Sequence, residues 1–142
     1  EKRIEYDSFL IERNQKLKLD NSSIDIILSF YSLEHLYPLI SNINELNRLL
    51  KPGGIIVGAV PAEGGLSWGL GRLLTSRRWL LKNTNIDPDK IICWEHPNFA
   101  DQILDGLNKI FIKEKVVYWP FSWIPLLDLN LIIKIIYRKK VN

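Results

Sequence analysis

The chain has 142 residues, 46% of them hydrophobic and 25% charged, with a formal net charge of +3 and an isoelectric point near 9.0. That length suits one domain with a sizeable core, and the balance of apolar and charged residues excludes a disordered, collagen-like or coiled-coil chain. The mild positive charge favours anionic ligands or surfaces but lacks the clustered basic character of a nucleic-acid-binding domain, so no nucleic-acid partner is expected.

One cysteine, Cys93, rules out an intramolecular disulfide. With only His35 and His96 beside it, no spaced ligand set for a structural zinc is present, and no metal is expected. This cysteine usage fits a reducing compartment, and a cytoplasmic location is the expectation. The sequence begins at Glu1 and contains no methionine, which reads as part of a longer product.

In chain order, Phe9, Leu10 and Ile11 make a weak strand candidate, followed by a polar connection through Arg13, Asn14 and Gln15. Residues 24–28 (IDIIL) form a short β-branched run bounded by polar residues, and predict a strand buried on both faces. From Pro38 to Leu50 the apolar positions Leu39, Ile40, Ile43, Leu46, Leu49 and Leu50 repeat at helical spacing. The helix should stop at Lys51-Pro52-Gly53-Gly54: a cation suits its carboxyl end, proline cannot continue it, and glycine accepts the left-handed turn. Residues 55–60 (IIVGAV) then read as a second buried strand, ended by Pro61.

Strand, helix and strand make a βαβ unit in a parallel sheet, so the fold class is α/β. Farther on, Asn98 is placed to cap a helix carrying Phe99, Ile103, Leu107 and Ile110 on one face, with Asp101 near its start. Residues 116–119 and 131–137 read as two closing strands.

The stretches LKLDNSSIDIILSFYSLEHL and LNRLLKPGGIIVGAVP, in this order and spacing, resemble class I S-adenosylmethionine-dependent methyltransferases, in particular the small group called methyltransferase type 11 or 12. The resemblance covers residues 5–61 well and residues 95–138 loosely. It implies a Rossmann-like, mostly parallel sheet with flanking helices and a C-terminal antiparallel hairpin. In it residues 24–28 correspond to the family's fourth strand and residues 55–60 to its fifth. The family's G-x-G-x-G cofactor loop and the acidic residue ending its second strand would lie before Glu1, so the chain is expected to lack the first strands of the fold. The pairs Gly64-Gly65 and Gly69-Leu70-Gly71 are not that loop, because no strand stands directly before them with a helix directly after.

Open α/β sheets bind ligands outside the carboxyl ends of their strands, which puts Ser29, Phe30 and Tyr31 beside the crevice. Resemblance implies the same three as contacts of the cofactor, S-adenosylmethionine; the alternative is that Phe30 and Tyr31 are core aromatics under the helix. The family's acidic contact to the adenine amine has no counterpart in residues 13–18 (RNQKLK), which hold no carboxylate.

Methyl transfer is an in-line displacement that needs a positioned nucleophile and, for oxygen or nitrogen acceptors, a base. Glu34 and His35, at the right edge of the sheet, are catalytic candidates, and the Glu95-His96 pair offers His96 as another. Each pair has a plainer reading as loop hydrogen bonding, capping and packing.

Residues 62–94 are least explained by the core fold and read as an inserted, lid-like segment. Leu66, Leu70, Leu73, Leu74, Leu80 and Leu81 recur at helical spacing, with Arg72, Arg77, Arg78 and Lys82 among them and Trp68 and Trp79 nearby. As a lid, its Arg72, Arg77 and Arg78 would suit phosphate or carboxylate on an acceptor. A basic, tryptophan-bearing amphipathic helix also suits peripheral contact with an anionic membrane. The plain alternative is solvated charge over a packed leucine face. The apolar stretch 119–140 is no integral membrane segment, since Pro120, Pro125, Asp128, Asn130 and Lys134 interrupt it.

The expected function is methyl transfer from S-adenosylmethionine to a small-molecule or glycoconjugate acceptor by the parent protein, with these 142 residues alone binding the cofactor weakly or not at all. The rivals are a non-catalytic methyltransferase-like binding module and a nucleic-acid-modifying domain.

Overall fold

The computed structural model describes residue 8 and residues 16–141. The strand candidate at residues 9–11 lies outside them. The described residues form four strands, β1 (Ile24–Phe30), β2 (Leu50–Pro61), β3 (Ile112–Trp119) and β4 (Ile132–Arg138). Their five helices are α1 (Leu39–Leu49), α2 (Leu66–Leu74), α3 (Ser76–Asn83), α4 (Pro88–Glu95) and α5 (Ala100–Ile110), with 3-10 turns at Leu33–His35 and Leu127–Leu129. The sheet order is β1-β2-β4-β3. Strands β1 and β2 are parallel across α1, while β4 runs antiparallel to both β2 and β3. The expected βαβ unit and closing hairpin are both present.

Strand β2 begins at Leu50, five residues earlier than expected. Leu50 leaves the helix directly in an extended conformation, and Gly53, at φ +76°, donates its N–H to the Lys139 carbonyl. The Lys-Pro-Gly-Gly stop is therefore itself the start of the ladder.

One sheet face carries the core. Ile56, Gly58 and Val60 of β2 stand opposite Tyr137, Ile135 and Ile133 of β4, and all six are buried. Helices α1 and α5 cover them and meet closely: a Cβ at Gly106 would lie 2.8 Å from the Ile43 Cδ1. Tyr137 donates from its hydroxyl to Asn108 Oδ1 (2.9 Å), and burial, with the neighbouring Tyr118, pushes its phenol up to about 12.

Three expectations need correction. β1 is not buried on both faces: Ile26, Leu28 and Phe30 are 54%, 68% and 56% exposed, because β1 ends the sheet and no described element covers that face. Asn98 does not cap α5 with its side chain. Helix α5 starts at Ala100 with its burial on Ala100, Ile103, Gly106 and Leu107, leaving Phe99 exposed, and the Phe99 N–H is satisfied by Gln102 Oε1 (3.0 Å). Residues 62–94 do not pack their leucines inward; the segment folds as the short helices α2, α3 and α4, with Leu66, Leu70, Leu73, Leu74 and Leu81 exposed.

Candidate functional site

The carboxyl ends of the parallel strands β1 and β2 lie side by side, the edge at which open α/β sheets bind ligands, and the sequence places polar residues at both. Ser29 is buried, its hydroxyl 2.7 Å from that of Ser32. Tyr31 takes a left-handed conformation (φ +51°) while its N–H donates to the Ala59 carbonyl of β2. This turn leaves the rings of Phe30 and Tyr31 about half exposed, so neither is a core aromatic. Close approach of the two strands requires glycine at 58, where a Cβ would fall 2.0 Å from the Ser29 carbonyl oxygen.

Beyond β1 the chain makes the 3-10 turn that holds Glu34 and His35. Asn98 fastens this turn from the start of α5: its Nδ2 donates to the Leu36 carbonyl at 2.6 Å and lies 3.3 Å from the Leu33 and Glu34 carbonyls. Glu34 is buried, and its Oε2 has no hydrogen-bond partner among the described residues. Burial raises its carboxyl above the ordinary range, against smaller lowering effects of its own backbone amide, His35 and His96. His35 donates from Nδ1 to the Glu95 carbonyl (2.6 Å), which leaves Nε2, 4.0 Å from Glu34 Oε1, as the acceptor of the neutral ring.

Beyond β2 the chain turns through Glu63-Gly64-Gly65. Gly64 sits at φ +98°, and a Cβ at Gly65 would come 2.5 Å from the Leu127 carbonyl oxygen, so both positions need glycine. The turn buries Glu63, whose carbonyl receives the Ala100 N–H while its carboxylate is ion-paired with Arg72 and with His96 Nδ1. A carboxylate can only accept, so His96 donates from Nδ1 and its Nε2 is the free lone pair of the neutral ring. The rings of His35 and His96 meet edge to face with centroids 4.6 Å apart. Arg72 also stands over the Trp68 ring, 5.9 Å from its centroid.

The fold thus brings Glu34, His35 and His96 together, and adds Glu63 and Arg72. Glu63 was missed by sequence reasoning; the signal for it was an acidic residue two places beyond a parallel strand, at the edge where ligands bind. The three arginines do not converge. Arg72 is held by Glu63, Arg77 is paired with Asp89, and Arg78 lies on the outer side of the segment without an ion-pair partner among the described residues. No group of three or more His, Cys, Asp or Glu side chains among the described residues is arranged to hold a metal ion.

Residues 1–58 match the model of the methyltransferase domain family. The match covers less than half of the chain and marks its first part as similar to that family. Among curated proteins none matches the sequence. Solved structures share the fold of this chain at low identity. The PH0226 protein of Pyrococcus horikoshii OT3 is 17% identical, with a TM-score of 0.57 over 88% of this chain and 56% of that one. An S-adenosylmethionine-dependent methyltransferase of Methanosarcina mazei is 21% identical, with a TM-score of 0.54 over 89% of this chain and 64% of that one. The [4+2]-cyclase SpnF is 16% identical, with a TM-score of 0.55 over 89% of this chain and 53% of that one. The chain therefore spans little more than half the length of the structures it matches.

Proposed function

We propose that the protein of which this chain is part transfers a methyl group from S-adenosylmethionine to a small-molecule or glycoconjugate acceptor, with His96 as the general base. The observation that carries this reading is the buried Glu63–His96 pair at the carboxyl end of β2, beside Glu34 and His35 at the end of β1. A carboxylate that fixes one imidazole nitrogen as a donor leaves the other free to take a proton and stabilises the cation that results.

The residues present fit part of the cofactor. The exposed rings of Phe30 and Tyr31, beside the buried Ser29, offer flat apolar faces for an adenine and π-faces for a cation. S-adenosylmethionine, when bound, supplies an electrophilic methyl group on a sulfonium sulfur. His96 Nε2 would take the proton of the acceptor O–H or N–H, leaving the acceptor lone pair free to act as nucleophile. The Glu63 carboxylate, paired with both Arg72 and His96 Nδ1, fixes the orientation of the imidazole.

The test is binding and methyl transfer by the full-length protein: calorimetric titration with S-adenosylmethionine, then release of S-adenosylhomocysteine with candidate acceptors. His96→Ala should retain cofactor binding and lose transfer by roughly 10²-fold or more, the usual contribution of a general base. Full transfer by His96→Ala would overturn its role, and absence of cofactor binding by the full-length wild type would overturn the enzyme reading. A non-catalytic binding module is the second reading, favoured by the lack of any carboxylate in residues 13–18.

A further inference from the structure

Helix α2 is amphipathic in an unusual sense. Trp68 and Arg72 turn inward to Glu63, while Leu66, Leu70, Leu73 and Leu74 share the opposite face and are 75%, 57%, 52% and 62% exposed. A packed domain ordinarily turns such a stripe to its core. Helix α3 continues that outward face with a different chemistry. Leu73 and Leu74 of α2 and Leu81 of α3 line one open groove together with Arg77, Arg78 and Lys82. Arg77 is neutralised by Asp89, whereas Arg78 and Lys82 have neither an ion pair nor a hydrogen bond among the described residues. Trp79 and Trp94, 60% and 83% exposed, stand on the same helical segment. The loop on which α2 rests, through the Ser67 hydroxyl to the Asp128 carbonyl, adds the exposed Trp123 and Leu126.

We propose that this face of α2 and α3 is a docking surface for an anionic lipid bilayer. The occupant follows from the charge pattern. A second protein core laid over the leucines would have to desolvate Arg78 and Lys82 or supply carboxylates to them. A bilayer interface accepts leucine side chains at the acyl boundary while the cations stay among anionic headgroups and the indoles sit at headgroup level. Helix α2 is anchored to the turn at residues 127–129 through its Leu66 N–H and Ser67 hydroxyl, both bonded to Asp128. This placement does not depend on the catalytic proposal and stands or falls by a separate assay.

The experiment is co-sedimentation of the full-length protein with vesicles of phosphatidylcholine alone and of phosphatidylcholine with 30 mol% phosphatidylglycerol, at low and near-physiological salt. Binding to the anionic vesicles is expected, at least ten-fold stronger than to the neutral ones and weakened by salt. Arg78→Glu/Lys82→Glu should abolish that preference, Leu70→Asp/Leu74→Asp should abolish binding, and Arg78→Lys/Lys82→Arg should behave as wild type. All these positions are solvent-exposed, and circular dichroism of each variant establishes that it is folded. Equal binding to both vesicle types, no binding to either, or a lipid-independent dimer dissolved by the leucine variants in size-exclusion chromatography would overturn the proposal, the last in favour of a second copy of the chain.

Discussion

Asn98 offers the sharpest test of how the site is held. Its side chain is buried and donates to Leu36 O at 2.6 Å, while its second N–H is shared between Leu33 O and Glu34 O, each 3.3 Å away. Asn98→Ala leaves one good bond and one weak one unmade and at least one buried carbonyl unsatisfied, a loss of about 2 kcal/mol. For a chain of this size that is a fall in melting temperature of about 8 °C, measured by circular dichroism or calorimetry. Asn98→Asp separates this role from helix capping. Asparagine and aspartate cap equally well, so a capping Asn98 would tolerate the change. As a donor to carbonyls it cannot: the introduced carboxylate would face the Leu33, Glu34 and Leu36 oxygens and destabilise by at least as much as alanine. That carboxyl would be bound more tightly by its proton in the folded state than in the unfolded one, so the stability of this variant should recover as pH falls. An Asn98→Asp protein as stable as wild type at pH 7 would refute the reasoning.

Burial raises the Glu34 carboxyl above its ordinary range, so the folded state holds that proton more tightly than the unfolded chain. Its contribution to stability is full below the unfolded value near 4.5 and is lost as pH rises through the higher folded one. Urea denaturation across that range should show Glu34→Gln lacking this loss and more stable than wild type at pH 7; an unchanged pH slope would remove Glu34 as its source. Gly58→Ala brings a Cβ to 2.0 Å from the Ser29 carbonyl oxygen, a backbone atom that cannot move without parting β1 from β2. A loss of about 3 kcal/mol or more is expected, read as a lower urea midpoint, and a variant within 0.5 kcal/mol of wild type would contradict the observed strand spacing.

The elements were legible in the sequence where local chemistry alone decides them. Helix α1 follows from its leucine and isoleucine spacing, whereas its end, with Leu50 already extended, comes before Pro52 and Gly53, which lie within β2. Strands β3 and β4 follow from β-branched runs broken by Pro120 and Pro125. What covers an element was not legible. Ile26 and Leu28 read the same whether the strand is central or terminal in the sheet, and only the order β1-β2-β4-β3 shows that their face is open. The leucines of α2 misled for the same reason, since periodicity marks a face without saying which way it points. Asn98 stands where a capping residue would, but its donors are taken by carbonyls more than sixty residues earlier. Of the site, Glu34, His35 and His96 were found by their place at strand ends or beside an acidic neighbour. Glu63 was not, because its partners Arg72 and His96 lie nine and 33 residues farther on and only the glycine turn brings them to it.

The two buried glutamates are held in opposite ways, and the difference bears on how the crevice would work. Glu63 sits between a guanidinium and an imidazole, and its charge is matched where it stands. Glu34 Oε2 has no hydrogen-bond partner among the described residues, and its Oε1 lies 4.0 Å from the Nε2 of His35. Burial raises the Glu34 carboxyl above its ordinary range, while on the proposed reading Glu63 is the carboxylate that orients the base. The imidazoles of His35 and His96 touch between them. A proton taken by His96 from an acceptor would place a positive charge against the His35 ring and within reach of Glu34, which His96 already favours in its ionised form. The geometry thus sets the proposed base and the buried Glu34 on either side of the His35 imidazole.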